Sequence, residues 1–149
     1  VSGTSRRLRD GSTSLVPRIA DELLELAGVL DGTHAHTSER EDLILEASQV
    51  CYWIAGEMVR SDVPFADVRP DRALDVASGD IAAKETIARI ISRTAAGVGD
   101  SALDGAQAHA LFALIASAAV AVNVRPIEVI ETDLAELRLR DYLAPYFSR

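Results

Sequence analysis

Cysteine is almost absent from this chain. Cys51 is the only one, so no disulfide can form within the molecule. Its neighbours are apolar residues of a predicted helix, and we therefore expect a buried, unreactive thiol. Basic residues are also few, with 15 Lys and Arg against 23 Asp and Glu and a formal charge of -8. Because binding to a phosphate backbone needs a clustered basic surface, this balance argues against nucleic acid as a partner.

Long hydrophobic runs are lacking as well. The longest, from Ala110 to Val122, has 13 residues, whereas roughly 20 are needed to cross a bilayer. We interpret it as a buried central helix. Residues 1–13 are basic and polar but have no apolar stretch of the kind found in a secretory signal. The sequence thus favours a cytoplasmic protein without a membrane partner, in which residues 1–13 form a flexible leader.

The fold class follows from periodicity. No segment shows the strict polar–apolar alternation of a half-buried strand, while apolar residues recur at helical spacing between glycine and proline breaks. With 149 residues, 48% of them hydrophobic, the chain has enough material for one core. We expect a single all-α domain over 14–149, with a first half at 14–76, a second half at 80–141 and an apolar tail at 142–149 that could dock on another surface.

Helix boundaries can be placed from capping and breaking residues. Pro17 suits a first turn, Asp31-Gly32 suits a helix end, and Ser38 with Glu41 has the pattern of a capping box. Pro70 should kink or delay a short helix that follows the turn at 63–68, and Ser78-Gly79-Asp80 should break the chain. The predicted helices cover about 17–30, 38–60, 68–76, 81–96, 103–122 and 127–140, and the core stripe of the first is Ile19, Leu23, Leu26 and Leu30.

Acidic residues at helical spacing are the feature that suggests chemistry. Glu22 and Glu25 lie three residues apart and share a face, as do Glu46 and Gln49. If the first two helices pack antiparallel, the four side chains converge on one point. Hard oxygen ligands of this kind suit Mg²⁺, with Mn²⁺ as an alternative, and such an ion would bridge to substrate phosphates. By spacing alone, a solvated acidic face is the favoured interpretation.

The sequence around these acids adds a family resemblance. The segments Leu23-Leu-Glu-Leu-Ala-Gly28 and Glu46-Ala-Ser-Gln-Val-Cys-Tyr-Trp53 resemble phosphoribosyl-ATP pyrophosphatases of the actinobacterial type and, more broadly, MazG-like nucleotide pyrophosphohydrolases. The turn at 63–68 also looks like the family's, so that the resemblance covers roughly residues 18–76. In that superfamily Glu-Glu-x-x-Glu on one helix and Glu-x-x-Asp on the next hold magnesium. A variant with Gln in the last place matches this chain.

The resemblance implies a fold, an activity and a set of site residues. The fold would be a MazG-like helical bundle, and the activity would be magnesium-dependent cleavage of a phosphoanhydride with release of pyrophosphate. The substrate would be a nucleoside triphosphate or a phosphoribosyl nucleotide. The implied metal ligands are Glu22, Glu25, Glu46 and Gln49, of which Glu25 and Glu46 carry catalysis.

The acidic motif on the first helix departs from the family's pattern. Aligned through Leu-Leu-Glu-x-Ala-Gly, Glu25 matches the first acid, but the second and third fall on Leu26 and Val29. A shifted register restores Asp21-Glu22-x-x-Glu25 at the expense of the apolar match. Fewer carboxylates would bind magnesium more weakly. The alternative is therefore a catalytically inactive helical bundle, derived from such enzymes, that serves in binding or assembly.

The second half resembles the first. The segment at 51–68 parallels that at 112–129 with a constant offset of 61 positions, which favours a duplicated, pseudo-symmetric bundle over chance similarity of short Ala-rich helices. Gln107 and Ala110 stand where Glu46 and Gln49 stand, so no second metal site is expected. Enzymes of this kind usually work as dimers. A duplicated chain could form that bundle alone, and an additional homodimer is left open.

Three histidines and two large aromatic residues have more than one interpretation. His34 and His36 lie in the loop before the second helix, where they would either contact substrate phosphate or be solvated loop residues. His109 is interpreted as structural or surface. Tyr52 and Trp53 occupy core-periodic positions, which favours packing over a border on a base-binding pocket.

Overall fold

The computed structural model describes residues 13–75, 82–99 and 102–141, and the regular structure within these ranges is entirely helical. The all-α prediction is therefore confirmed for the described part of the chain. Three predicted features lie outside the described residues: residues 1–12 of the leader predicted at 1–13, the break at 78–80 and the tail at 142–149. In chain order the helices are α1 Val16–Asp31, α2 Glu39–Arg60, α3 Phe65–Val68, α4 Pro70–Ala73, α5 Lys84–Gly97, α6 Gly105–Ala121 and α7 Pro126–Arg138.

Helix α1 follows the sequence prediction closely. Pro17 lies in its first turn, and Gly32 ends it with φ of +82°, a left-handed conformation that glycine adopts without steric penalty. The predicted core stripe is confirmed, since each of its four side chains is at most 1% exposed: Ile19, Leu23, Leu26 and Leu30. This face packs against both α2 and α5.

Helix α2 begins after Ser38, as predicted, but its capping box is only partly formed. The Ser38 hydroxyl accepts a hydrogen bond from the Glu41 backbone N–H at 3.2 Å. The Glu41 carboxylate accepts from that same hydroxyl at 3.0 Å, whereas the prediction had it reach the Ser38 backbone. The Ser38 hydroxyl therefore contacts both the backbone N–H and the carboxylate of Glu41 at the start of the helix.

The segment after α2 differs from its prediction. Instead of one short helix reaching residue 76, two single turns, α3 and α4, are divided at Arg69, which has φ of +50°. Pro70 is the cause, because a proline ring disfavours the helical conformation of the residue before it. The break therefore falls one residue before the proline, and residue 76 lies outside the described residues.

Helix α6 lies at the centre of the second half, as predicted for the Ala-rich run. It contacts α2, α3, α4, α5 and α7. Small side chains on several of its faces allow these neighbours to approach closely, and four of them have no exposed area: Ala108, Ala116, Ala118 and Ala119. The Cys51 thiol is buried nearby in the core, and burial raises its pKa, which agrees with the predicted inert thiol.

A helix that crosses a bilayer must be both long and apolar. Across residues 13–75, 82–99 and 102–141, no helix taken singly meets both requirements. One pair meets them together, Gly105–Ala121 with Pro126–Arg138, but the two helices are bent by 102° at their junction.

Candidate metal centre

Three carboxylates from the first two helices meet at one place. Glu22 and Glu25 on α1 and Glu46 on α2 each present an oxygen atom, and these oxygens all lie within 4.8 Å of one another. Glu22 and Glu46 are almost completely buried, whereas Glu25 is partly exposed. The structure thus brings together the three acids that the sequence singled out. We call Glu22, Glu25 and Glu46 the acidic cluster.

Burial and like charge act together on this cluster. Burial raises the pKa of Glu22; Arg18 opposes that rise, and the negative charges of Glu25 and Glu46 add to it. Burial also raises the pKa of Glu46, against a hydrogen bond with His34 that lowers it and the charge of Glu25 that raises it again. Placing several ionised carboxylates in one desolvated spot is unfavourable, and a divalent cation would relieve it.

Arg18 lies beside the acidic cluster, although the sequence analysis did not single it out. Its guanidinium forms an ion pair with the buried carboxylate of Glu22, one helical turn away. It also lies 5.5 Å from the centre of the Trp53 ring, a cation–π distance. The i, i+4 spacing of Arg18 and Glu22 was the available signal, because residues so spaced on a helix are neighbours. Arg18 therefore places a positive charge beside the acidic cluster.

Gln49 supports Glu46 through its amide group. Its Nε2 donates a hydrogen bond to Glu46 Oε2 at 3.2 Å, so the amide nitrogen faces the carboxylate. In this arrangement Gln49 orients one ligand of the cluster, and a direct role in binding a metal stays a prediction.

The two possible registers of the acidic motif involve Leu26 and Val29 in one case and Asp21 in the other, and these residues have different surroundings. Leu26 and Val29 are buried in the apolar core, which leaves no polar role for them. Asp21 is largely exposed and lies 3.5 Å from Arg18, outside the acidic cluster. Of the shifted motif, only Glu22 and Glu25 therefore reach the site.

The loop histidines lie closer to the site than expected. His34 is partly buried, and its Nε2 lies 3.2 Å from Glu46 Oε1, so the interpretation as a solvated loop residue is wrong for His34. His36 is exposed, and its Nε2 lies 3.0 Å from that of His34. Helical periodicity does not predict this approach, because it depends on how the loop folds back onto α1. Contact of either histidine with substrate phosphate stays a prediction.

Not every buried acid belongs to the cluster. Glu57 on α2 has no exposed area and accepts hydrogen bonds from the Leu15 backbone at 2.9 Å and from Arg60 at 2.6 and 2.8 Å. Burial alone would raise its pKa, but these hydrogen bonds outweigh it and lower the pKa. Glu57 therefore ties the start of α1 to the end of α2 and is structural.

Two further predictions concern packing. The His109 Nδ1 lies 2.7 Å from the carbonyl oxygen of Val68, which joins α6 to α3 and agrees with a structural role. Tyr52 and Trp53 pack edge to face with ring centres 5.3 Å apart. Trp53 is partly buried against the hydrophobic core, which agrees with its packing interpretation. For Tyr52 the packing observed is its contact with Trp53. A border on a base-binding pocket stays a prediction.

The second half has no comparable acids at the corresponding positions. Gln107 forms a capping box with Asp104 at the start of α6, with bonds of 2.8 and 2.9 Å. Gln107 and Ala110 also line a mostly apolar cavity of about 610 Å³ between α5 and α6. None of the acidic cluster residues lines this cavity. The acidic cluster and the cavity therefore lie in different halves of the molecule.

Comparison with known proteins identifies no relative of this chain. No protein-family model matches it, and neither a curated protein nor a solved structure does so. The function of this protein is therefore inferred from the geometry of the acidic cluster and its neighbours.

Proposed function

We propose that this protein is a magnesium-dependent nucleotide pyrophosphohydrolase. Its substrate would be a nucleoside triphosphate or a phosphoribosyl nucleotide, cleaved at a phosphoanhydride bond with release of pyrophosphate. The observation that carries the proposal is the convergence of Glu22, Glu25 and Glu46 from two helices to within 4.8 Å. The proposal includes a MazG-like bundle in which the half at 80–141 is a degenerate repeat of that at 14–76.

The donor set fits the proposed cation. Mg²⁺ prefers oxygen ligands and is usually held by one or two protein carboxylates, with water and substrate phosphate in the remaining positions. Glu22, Glu25 and Glu46 supply more than that minimum. Once bound, the ion would lower the pKa of an attacking water and screen the charge that develops on the departing pyrophosphate.

The chain's own residues would divide the remaining work. Glu25 is the partly exposed member of the cluster, so its carboxylate reaches the side from which substrate would enter. Glu46 is buried and held between Gln49 and His34, which fixes its orientation. The half-exposed guanidinium of Arg18 stands beside the cluster, where it could contact a substrate phosphate.

The test is an assay of pyrophosphate release by the full chain, with Mg²⁺ and a panel of nucleoside triphosphates and phosphoribosyl nucleotides. We expect release from at least one substrate, its loss on chelation, and its loss in Glu46→Ala. Glu136→Gln removes an exposed carboxylate from α7 and should retain activity. No release above that of Glu46→Ala on any substrate would refute the enzyme proposal.

A second candidate function is a non-catalytic binding or assembly protein built on the same bundle. Two observations favour it. Arg18 already neutralises Glu22 without a metal, and the apolar cavity of about 610 Å³ has the size of a small-molecule pocket. Saturable binding of an apolar ligand in that cavity, in a protein without hydrolytic activity, would favour this candidate over the enzyme.

A further inference from the structure

The loop between α1 and α2 is held against α1 at one glycine. The His34 backbone N–H donates to the carbonyl oxygen of Gly28 at 3.0 Å. A Cβ atom added at Gly28 would lie only 2.7 Å from the Cβ of His34 and 3.2 Å from the Thr33 hydroxyl oxygen. The absence of a side chain at Gly28 therefore allows His34 to sit directly on the helix, with its ring extended toward α2.

The other end of the loop is held by a buried carboxylate. Asp42, in the first turn of α2, accepts from the His36 backbone N–H at 2.8 Å and from the Thr37 hydroxyl at 2.8 Å. These hydrogen bonds act mainly through the His36 backbone N–H and lower the pKa of Asp42 against the effect of its burial. The backbone on both sides of His36 is thus positioned by contacts that do not involve either imidazole.

The loop brings three ligand atoms together. His34 Nε2 lies 3.2 Å from Glu46 Oε1 and 3.0 Å from His36 Nε2, and all three atoms lie within 4.8 Å of one another. The two rings meet nearly at right angles, with centres 4.5 Å apart. Zinc–nitrogen bonds of 2.0–2.1 Å in tetrahedral geometry place neighbouring ligand atoms about 3.3 Å apart. The two short separations are therefore close to those of a formed site.

The single Nε2 atom of His34 lies within hydrogen-bond distance of both other groups. One imidazole nitrogen carries either a hydrogen or a lone pair. With a hydrogen, His34 Nε2 can donate to Glu46 but has no lone pair to offer His36. With a lone pair, it can accept from His36 or from a protonated Glu46, but not from both at once. A cation placed between the three atoms would engage a lone pair from each.

We propose that His34, His36 and Glu46 form a second cation position, selective for a transition-metal ion of the zinc type. Imidazole nitrogen suits zinc, cobalt, nickel and copper, whereas the all-carboxylate cluster suits magnesium and manganese. Three protein ligands leave a further coordination position for water or another ligand, and His36 is exposed to solvent. The position depends on the two histidines and does not require the chain to hydrolyse a nucleotide.

The test uses cobalt as a spectroscopic probe for the zinc position. Metal-free full-length protein is titrated with Co²⁺, and the visible absorption of four-coordinate cobalt is followed; Zn²⁺ is then added to displace it. We expect one saturable cobalt site per chain, with affinity reduced at least about tenfold in His34→Gln and in His36→Gln. His109→Gln, which removes the histidine on α6, should bind cobalt as the wild type does. Circular dichroism verifies that each variant is folded.

A parallel titration with Mn²⁺, followed by its electron paramagnetic resonance signal, separates this proposal from the proposed function. His34→Gln should retain Mn²⁺ binding, while Glu25→Gln should weaken Mn²⁺ and retain Co²⁺. Glu46→Gln should weaken both ions. Cobalt binding that is absent, or that is unchanged in folded His34→Gln and His36→Gln, would overturn the second cation position whatever the activity assay gives.

Discussion

Glu25→Gln gives a prediction in which stability and metal binding change in opposite directions. One carboxylate oxygen from each residue of the acidic cluster lies within 4.8 Å of the other two. At that distance two unit charges repel by about 3.5 kcal/mol at an effective dielectric constant of about 20, and by about 0.9 kcal/mol in bulk water. Because Glu25 is partly exposed, its repulsion with Glu22 and Glu46 should lie near the lower figure.

The substitution should therefore stabilise the metal-free protein. Gln has nearly the helix propensity of Glu, so the backbone contributes little to the difference. We expect the free energy of unfolding in chelator to rise by about 1–2 kcal/mol at neutral pH, since repulsion with two neighbours is removed. The site would thus retain a stability defect that serves metal binding, as functional sites commonly do.

Mn²⁺ should reduce this advantage. Loss of one carboxylate should weaken binding at least about tenfold. At 100 times the wild-type Kd the ion adds about 2.7 kcal/mol to the wild type but only about 1.4 kcal/mol to the variant. The difference measured in chelator should therefore shrink by more than about 1 kcal/mol.

The assay is chemical denaturation of wild type, Glu25→Gln and the control Glu136→Gln, each in chelator and in Mn²⁺. Glu136 is exposed on α7, so its substitution should change stability by less than about 0.5 kcal/mol in either condition. A Glu25→Gln protein that is less stable than the wild type in chelator would refute the repulsion argument. An advantage that Mn²⁺ leaves unchanged would refute the cation site.

Three further predictions follow from the same contacts. The pKa values of Glu22 and Glu46 are raised from 4.5 in the folded state. Their contribution to stability is therefore full below pH 4.5 and is lost as the pH rises through the raised values. Thermal unfolding from pH 4 to 8 should show that the stability advantage of Glu25→Gln grows with pH. Gly28→Ala should destabilise the chain by about 1–3 kcal/mol in denaturant titrations and weaken cobalt binding, because its Cβ displaces His34; unchanged cobalt affinity would contradict that placement. Glu57→Ala should lower the free energy of unfolding by about 3 kcal/mol while leaving Mn²⁺ affinity unaltered, and altered affinity would contradict its purely structural role.

Much of the fold follows from local sequence rules. The bounds of α1 and α2, the helix end at Asp31-Gly32 and the core stripe of α1 depend on residues a few positions apart, and the sequence predicts them closely. The split at Arg69 was only partly anticipated, since Pro70 indicated a kink but not the full break. Each of these features is decided by the chain within one or two helical turns.

The site was less predictable because its contacts span loops. Glu22, Glu25 and Glu46 could be proposed from spacing and resemblance, although only packing of α1 on α2 brings them together. The approach of His34 to Glu46 depends on the missing side chain at Gly28 and on the hydrogen bonds that hold the loop. Pattern rules for helices describe neither of these constraints. Tertiary contacts therefore place His34 and His36 near Glu46, which local sequence patterns do not predict.

Calorimetric titration of the metal-free protein with Mg²⁺ measures the cation site of the acidic cluster itself, on which the proposed function depends. We predict a single saturable Mg²⁺ site per chain, at least about tenfold weaker in Glu46→Gln and unchanged in Glu136→Gln. The proposed Mg²⁺ site would be contradicted by a wild-type titration that shows no saturable binding. It would also be contradicted by binding that Glu46→Gln leaves intact.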